Sequence, residues 1–137
     1  MENIFQQSIK LFKRTTRNMY LWDIQYKIWY ERVATNAKLY QMNIKDTELC
    51  EYCHERETNV HAFVLCERTQ NFWSDITLFL IRLGYRNFRL EHSILIFGDK
   101  EMDSLFNLII TIAKKVIYQK REKRNIYSMR HFDILLE

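Results

Sequence analysis

The chain has 137 residues, of which 47% are hydrophobic and 28% charged, so its composition excludes a disordered polypeptide and fits one folded domain. It contains no proline and two glycines, which argues against a sheet protein with many tight turns. The formal net charge of +4 is uneven, with +3 in residues 1–49, −3 in residues 50–76 and +4 in residues 77–137. We predict a single small all-α domain over residues 1–137.

Two amphipathic helices are predicted in the first 34 residues. In the first, apolar residues from Phe5 to Phe12 recur at helical spacing. Its basic residues fall on another face: Lys10, Lys13, Arg14 and Arg17. The second helix is predicted over residues 20–34, where a wide apolar band indicates a face turned to the core. Thr35 or its neighbour is then expected to cap a short helix that ends near Met42.

A metal-binding motif follows the short helix. Cys50, Cys53, His61 and Cys66 have the spacing C-x2-C-x7-H-x4-C and include every cysteine in the chain. Three thiols and one imidazole are the ligands of a closed tetrahedral zinc site. We therefore predict a structural Zn²⁺ held by these residues, in a zinc knuckle at residues 49–66 that is inserted between helices.

Three other interpretations use the same residues. Residues 50–54 read C-x-x-C-H, a string that attaches c-type haem in other proteins but would leave Cys66 unused. A C-x-x-C redox motif expects a βαβ context, which the pattern around Cys50 does not show. The cysteines could also be buried and inert, although their charged neighbours make poor core surroundings. His54 is a second candidate imidazole ligand beside His61.

After the knuckle, apolar residues keep helical spacing over residues 68–83, and Gly84 is well placed to end that helix. Residues 93–97 form a short apolar run before Gly98. This run predicts a short strand or an extended buried segment.

A long helix is predicted to begin at about Asp99 or Lys100, with Glu101 and Asp103 in a first turn where the helix dipole favours acids. A last short helix is predicted over residues 129–136. The basic residues in this part of the chain are Lys114, Lys115, Lys120, Arg121, Lys123 and Arg124.

The motif and its neighbours resemble a known family. A Thr35-Asn36 helix junction, the C-x-x-C, an E-T-x-x-H segment at residues 57–61, the final Cys66 and a Phe-Trp pair at residues 72–73 follow one another. This order is similar to that of the zinc-binding domain that follows the polymerase in non-LTR retrotransposon reverse transcriptases. The resemblance covers most of the chain from about Trp22 onward.

The resemblance implies that the two ligand pairs of the knuckle hold zinc and that the polymerase and nuclease lie upstream. No Y-x-D-D polymerase signature and no endonuclease-like set of acids is evident here. We therefore expect a non-catalytic C-terminal module, separated from its enzyme or derived from a decayed element.

Two functions are compatible with these patterns. In the first, the basic residues named above bind RNA or DNA, either single-stranded or as template or target, and Tyr118, Tyr127 and His131 are available to stack on bases. In the second, the chain is a structural or protein-interaction module that docks on a reverse transcriptase core without contacting nucleic acid. Exposed aromatic residues such as Tyr30 would form its docking surface.

The cysteine count and the first residues bear on the cell compartment. An odd number of cysteines and a start with Glu2 and Asn3 favour a reducing interior, either nucleus or cytoplasm, over secretion. The longest apolar runs, such as residues 108–113, are too short to cross a bilayer. We expect an intracellular protein without a membrane partner.

Overall fold

Helices make up most of residues 3–123, the part of the chain that the computed structural model describes. In chain order they are α1 (Ile4–Thr15), α2 (Met19–Trp29), α3 (Asn36–Gln41), a π-helical turn (His61–Leu65), α4 (Glu67–Arg82), α5 (His92–Phe97) and α6 (Ser104–Lys123). Within residues 3–123 there is no β-strand, and one isolated antiparallel bridge pairs Leu49 with Arg56. The predicted all-α fold is confirmed.

Side-chain caps begin the first three helices. The Asn3 side chain accepts from Gln6 N–H, and the Gln6 side chain accepts from Asn3 N–H in return, which makes a capping box. Asn18 caps α2 in a similar way. The Thr35 hydroxyl accepts the Lys38 N–H at 3.2 Å, so the predicted cap of the short helix is confirmed.

The long helix α6 forms the centre of the core. Its buried stripe packs against α1, α2, α4 and the π-helical turn. The residues of α6 with no more than 1% exposure are Phe106, Ile109, Ile110, Ala113, Val116 and Ile117. Among the described helices, none combines the length and apolarity needed to cross a bilayer.

Residues 93–97 are helical, so the prediction of a strand or extended segment there is wrong. The segment lies in α5, where the Leu95 N–H donates to Glu91 O at 3.0 Å and the Gly98 N–H donates to Ile94 O at 2.8 Å. A short apolar run has no periodicity that separates a helix from a strand. Gly98 ends α5 at φ +83°, and a Cβ there would lie 2.7 Å from Leu11 Cδ2.

Helix α6 begins at Ser104, four or five residues later than predicted. Asp103 lies just before its first turn and accepts the Phe106 N–H at 2.9 Å. The Asn107 side chain accepts from Asp99 N–H and donates to Asp99 O, which folds residues 99–103 into a turn. Helix α2 also ends earlier than predicted, because Glu31 turns the chain at φ +52°.

Helix α4 and its end agree with the prediction. The helix spans Glu67–Arg82, and Gly84 follows it at φ +104°, a conformation that glycine adopts without strain. The short helix predicted at residues 129–136 lies outside the described residues.

A buried lysine makes the stability of the fold depend on pH. Lys114 is 2% exposed, its Nζ donates to Gln25 Oε1, and Ile96 O lies 3.5 Å away. Burial lowers the pKa of Lys114 to about 7 from 10.5. Between these two values the unfolded chain binds more protons than the folded chain, so the free energy of unfolding rises with pH across that window.

We predict that Lys114→Met flattens this rise. Urea unfolding of the zinc-loaded protein, followed by circular dichroism from pH 7 to 9.5, measures it. Lys100→Met is the matched control, because Lys100 is exposed and the titration of the thiols is common to both variants. An equal slope in the two variants would contradict the prediction.

Candidate metal centre

The structure brings the four predicted zinc ligands together. The ligand atoms of Cys50, Cys53, His61 and Cys66 all lie within 4.8 Å of one another. The sulfurs of Cys53 and Cys66 are 3.6 Å apart. Two thiolates on one tetrahedral zinc ion, each with a Zn–S distance of about 2.3 Å, lie about 3.8 Å apart. The donor set and its spacing therefore fit Zn²⁺.

The first ligand pair lies on a tight turn. The His54 N–H donates to Cys50 O at 3.0 Å, and the Cys50 N–H donates to Glu55 O at 2.7 Å. The turn passes through a left-handed residue, His54, at φ +59°. The His54 side chain is exposed and lies outside the group of candidate ligands, whereas His61 lies within it.

The second pair is spaced by the π-helical turn. The Cys66 N–H donates to His61 O at 2.8 Å, so both ligands flank one wide turn. His61 Nε2 is buried and has no hydrogen-bond partner, as a ligand nitrogen requires. Burial also lowers the pKa of His61 and keeps the imidazole neutral, which is the form that binds metal.

Helix α4 supplies hydrogen bonds to the thiols from its first turn. Glu67 N–H donates to Cys53 Sγ at 3.4 Å. Burial alone would raise the pKa of Cys66, but hydrogen bonds from the backbone and side chain of Arg68, together with its charge, lower it. Burial raises the pKa of the Cys53 thiol.

The π-helical turn is supported by α4 side chains. A π-turn leaves backbone carbonyls without their usual helical donors, and side chains must satisfy them. The Thr69 hydroxyl donates to Ala62 O at 2.9 Å, and Trp73 Nε1 donates to Phe63 O at 2.7 Å. Thr69 and Trp73, the second residue of the Phe-Trp pair, thus hold the His61 side of the knuckle in place.

A buried carboxylate ties the knuckle to the helices, and sequence reasoning did not assign it this role. Glu57 is 6% exposed, accepts the Asn36 N–H at 2.8 Å and forms an ion pair with Arg121 of α6. The Asn36 side chain also donates to Leu49 O at 2.8 Å. Asn36 belongs to the Thr-Asn junction, and Glu57 begins the E-T-x-x-H segment. These two strings were the signal in the sequence for this contact.

The structure divides the predicted basic set. On and just after α1 the side chains are exposed: Lys10, Lys13, Arg14 and Arg17. Lys115 and Lys120 are half-buried. Lys114 lies in the core and Arg121 pairs with Glu57, so their assignment to an exposed nucleic-acid surface is corrected.

The Lys123 side chain, Arg124, Tyr127 and His131 lie outside the described part of the structure. Among the aromatic residues that could form a docking surface, Tyr30 and Tyr40 are exposed by 47% and 46%. Trp22 and Trp29 are half-buried, and their indole N–H groups donate to Thr16 O and Ser8 Oγ.

Comparison with known proteins finds related sequences for the knuckle and its flanks. Residues 6–73 match the model of a family described as zinc-binding in reverse transcriptase. The Transposon TX1 uncharacterized 149 kDa protein of Xenopus laevis is 30% identical over 109 residues, which cover 74% of this chain and 8% of that protein. No solved structure matches the chain. The matched family region contains all four predicted ligands.

Proposed function

Residues 6–73 of this chain belong to the family of zinc-binding domains of reverse transcriptases, and on that premise we propose that the chain is an accessory module that binds RNA or DNA through exposed basic helix faces. Zinc holds the knuckle in shape and takes no part in a reaction. The first and strongest of these faces is the basic face of α1, defined by Lys10, Lys13, Arg14 and Arg17.

The charge of α1 supports this proposal. Residues 3–22 contain four basic side chains and no acidic one, and all four are exposed. Such a face attracts phosphates and releases the counterions that are condensed on a nucleic acid. The knuckle region has the opposite character, because residues 50–76 sum to −3 before metal is counted and three thiolates with one Zn²⁺ add a net −1. Phosphates are therefore expected on the flanking helices.

The proposed role is non-catalytic. Among the described residues, the zinc ligands are the one group of three or more His, Cys, Asp or Glu side chains that could hold a metal ion. Four protein ligands close the zinc coordination sphere, so no position remains for an activated water. Polymerase or nuclease activity would belong to other parts of a longer protein.

Replacing the basic face of α1 with glutamine is expected to weaken nucleic-acid binding and to reduce its dependence on salt. The logarithm of affinity for a single strand falls with the logarithm of salt concentration at a slope of about −0.7 per phosphate contacted, so the slope should flatten by about 3 or less. Fluorescence anisotropy of labelled single-stranded RNA and DNA over a salt series measures this. Zinc content should not change.

The matched control removes the same charge elsewhere. It replaces four exposed basic residues with glutamine: Lys38, Arg82, Arg89 and Lys100. A further variant tests the basic residues of the segment 120–124 by replacing Lys120, Lys123 and Arg124 with glutamine, and it keeps Arg121 because Glu57 needs its charge. Equal affinity and equal slope for the α1 variant and its control would refute the basic-face proposal.

A docking module without nucleic-acid contact is the second candidate. It is favoured by exposed apolar side chains on α4, of which Leu78 is 55% and Ile81 is 43% exposed. Exposed apolar side chains that lie together are typical of surfaces that bind another protein. Binding to a polymerase core that is insensitive to salt, with no binding of oligonucleotides, would place this candidate ahead.

A further inference from the structure

The outer side of α2 carries exposed tyrosines that neither the core nor the zinc site uses. Tyr20, Tyr26 and Tyr30, which we call the tyrosine face, are exposed by 72%, 45% and 47%. Tyr26 and Tyr30, the residue that directly follows the helix, lie on the side opposite the buried residues Ile24 and Ile28, whereas Tyr20 lies toward α6, where Lys115 contacts its ring. An exposed ring is common, but three within one short helix and its cap, together with cations from α2 and α6, form a surface along the exposed side of α2.

Cations are placed against these rings. Lys115 Nζ of α6 lies 5.2 Å from the centroid of Tyr20, and the Arg32 guanidinium lies 6.0 Å from that of Tyr26. The rings of Tyr26 and Tyr30 contact each other in a tilted arrangement, with centroids 4.6 Å apart and planes at 43°. At the border with α6, Lys27 Nζ lies 5.3 Å from the ring of Tyr118. Rings and positive charges therefore alternate across α2 and its contact with α6.

We propose that the tyrosine face binds a single-stranded segment of nucleic acid, with bases stacked on Tyr20 and Tyr26 and phosphates beside Lys27 and Lys115. The proposal rests on the proposed function and deepens it, because it names the form of nucleic acid and a second surface beyond the basic face of α1. Only a single strand exposes the π-faces of its bases, and aromatic side chains interleaved with cations are how proteins bind such strands.

The composition of the surface favours nucleic acid over a protein partner. Lysine is depleted in protein–protein interfaces, although tyrosine is enriched there. Here lysines from two helices lie against tyrosine rings. The face also has a feature that opposes phosphates, since Asp23 pairs with Lys27 at 2.9 Å. A bound strand would compete with Asp23 for Lys27.

Because of this competition, the proposal predicts that some substitutions weaken binding of the strand and that one strengthens it. Tyr20→Ala and Tyr26→Ala should each weaken binding of a labelled 12-nucleotide single strand by about tenfold and leave the salt slope unchanged, because stacking releases no counterions. Tyr20→Phe should bind like the wild type, since it keeps the ring. Asp23→Asn should bind several-fold more tightly because it frees Lys27.

The matched control is Tyr40→Ala on α3, a tyrosine with 46% exposure that lies away from this face. Zinc content and circular dichroism establish that each variant is folded. If the wild type binds with a salt slope that the α1 variant flattens, but Tyr20→Ala and Tyr26→Ala bind like Tyr40→Ala, the tyrosine face is refuted while the proposed function stands.

Three other results would also refute the tyrosine face. Binding of a duplex as tight as that of the single strand would remove the reason for stacking. Loss of affinity for a polymerase core, with unchanged affinity for oligonucleotides, would assign the face to a protein partner. No binding of any oligonucleotide by the wild type would refute both the face and the proposed function.

Discussion

Serine in place of Cys66 is expected to release zinc and to destabilise the domain strongly. Cys66 is 2% exposed, and its thiol is the ligand whose pKa the first turn of α4 lowers. Serine keeps the shape of the side chain but offers a hydroxyl that does not ionise at neutral pH. A knuckle that has lost one of its four ligands binds zinc more weakly, and in small zinc domains the energy of metal binding is energy of folding.

The expected loss is about 3 kcal/mol or more, which lowers the melting temperature by about 10 °C in a domain of this size. Metal analysis by plasma mass spectrometry and thermal unfolding by circular dichroism measure the two effects. Cys66→Ser protein that keeps one zinc ion per chain and the wild-type melting temperature would contradict the prediction.

The two histidines of the knuckle provide a matched pair of controls. His61→Ala removes a ligand and should behave like the Cys66 variant. His54→Ala changes an exposed side chain seven residues earlier and should keep its zinc. If His54→Ala released the metal and His61→Ala kept it, the ligand assignment would have to be exchanged.

The site was predictable from the sequence because its information is local. Ligand spacing identifies Cys50, Cys53 and Cys66 with no knowledge of the remaining fold, since a tight turn and one helical turn deliver them. Helices with a long, strongly periodic apolar stripe, such as α4 and α6, were predictable for the same reason. The segments that were predicted wrongly are short, or their structure depends on a residue that is distant in the sequence.

Two particular residues show what the sequence leaves open. Asn107 moves the start of α6 by bonding to the backbone of Asp99, and no periodicity in the turn before the helix signals this. Lys114 was assigned to a surface by its charge. Its position between Ile110 and Ile117 on the buried stripe was the signal that it points inward. The prediction gave more weight to the charge of Lys114 than to its position in the helical pattern, but the position is what agrees with its burial in the structure.

Alanine in place of Glu57 is expected to destabilise the fold almost as strongly as loss of a zinc ligand. The Glu57 and Arg121 side chains are 8% and 11% exposed. Removing one member of a buried ion pair costs about 3–5 kcal/mol, because the other charge stays buried without its counterion. The Asn36 N–H, which begins α3, also loses its acceptor.

Urea unfolding of the zinc-loaded protein measures this loss, and Glu55→Ala is the control because Glu55 is an exposed carboxylate in the same loop. Glu57→Ala retains all four ligands, so it should still bind one zinc ion per chain, but more weakly.

Adding Arg121→Met should restore part of the lost stability, because the double variant no longer buries a guanidinium beside an empty carboxylate position. Glu57→Ala as stable as Glu55→Ala would show that the knuckle holds its place on α3 and α6 without this ion pair. A double variant less stable than Glu57→Ala would show instead that Arg121 contributes mainly through contacts other than Glu57, such as its hydrogen bond to Ala34 O at 3.2 Å.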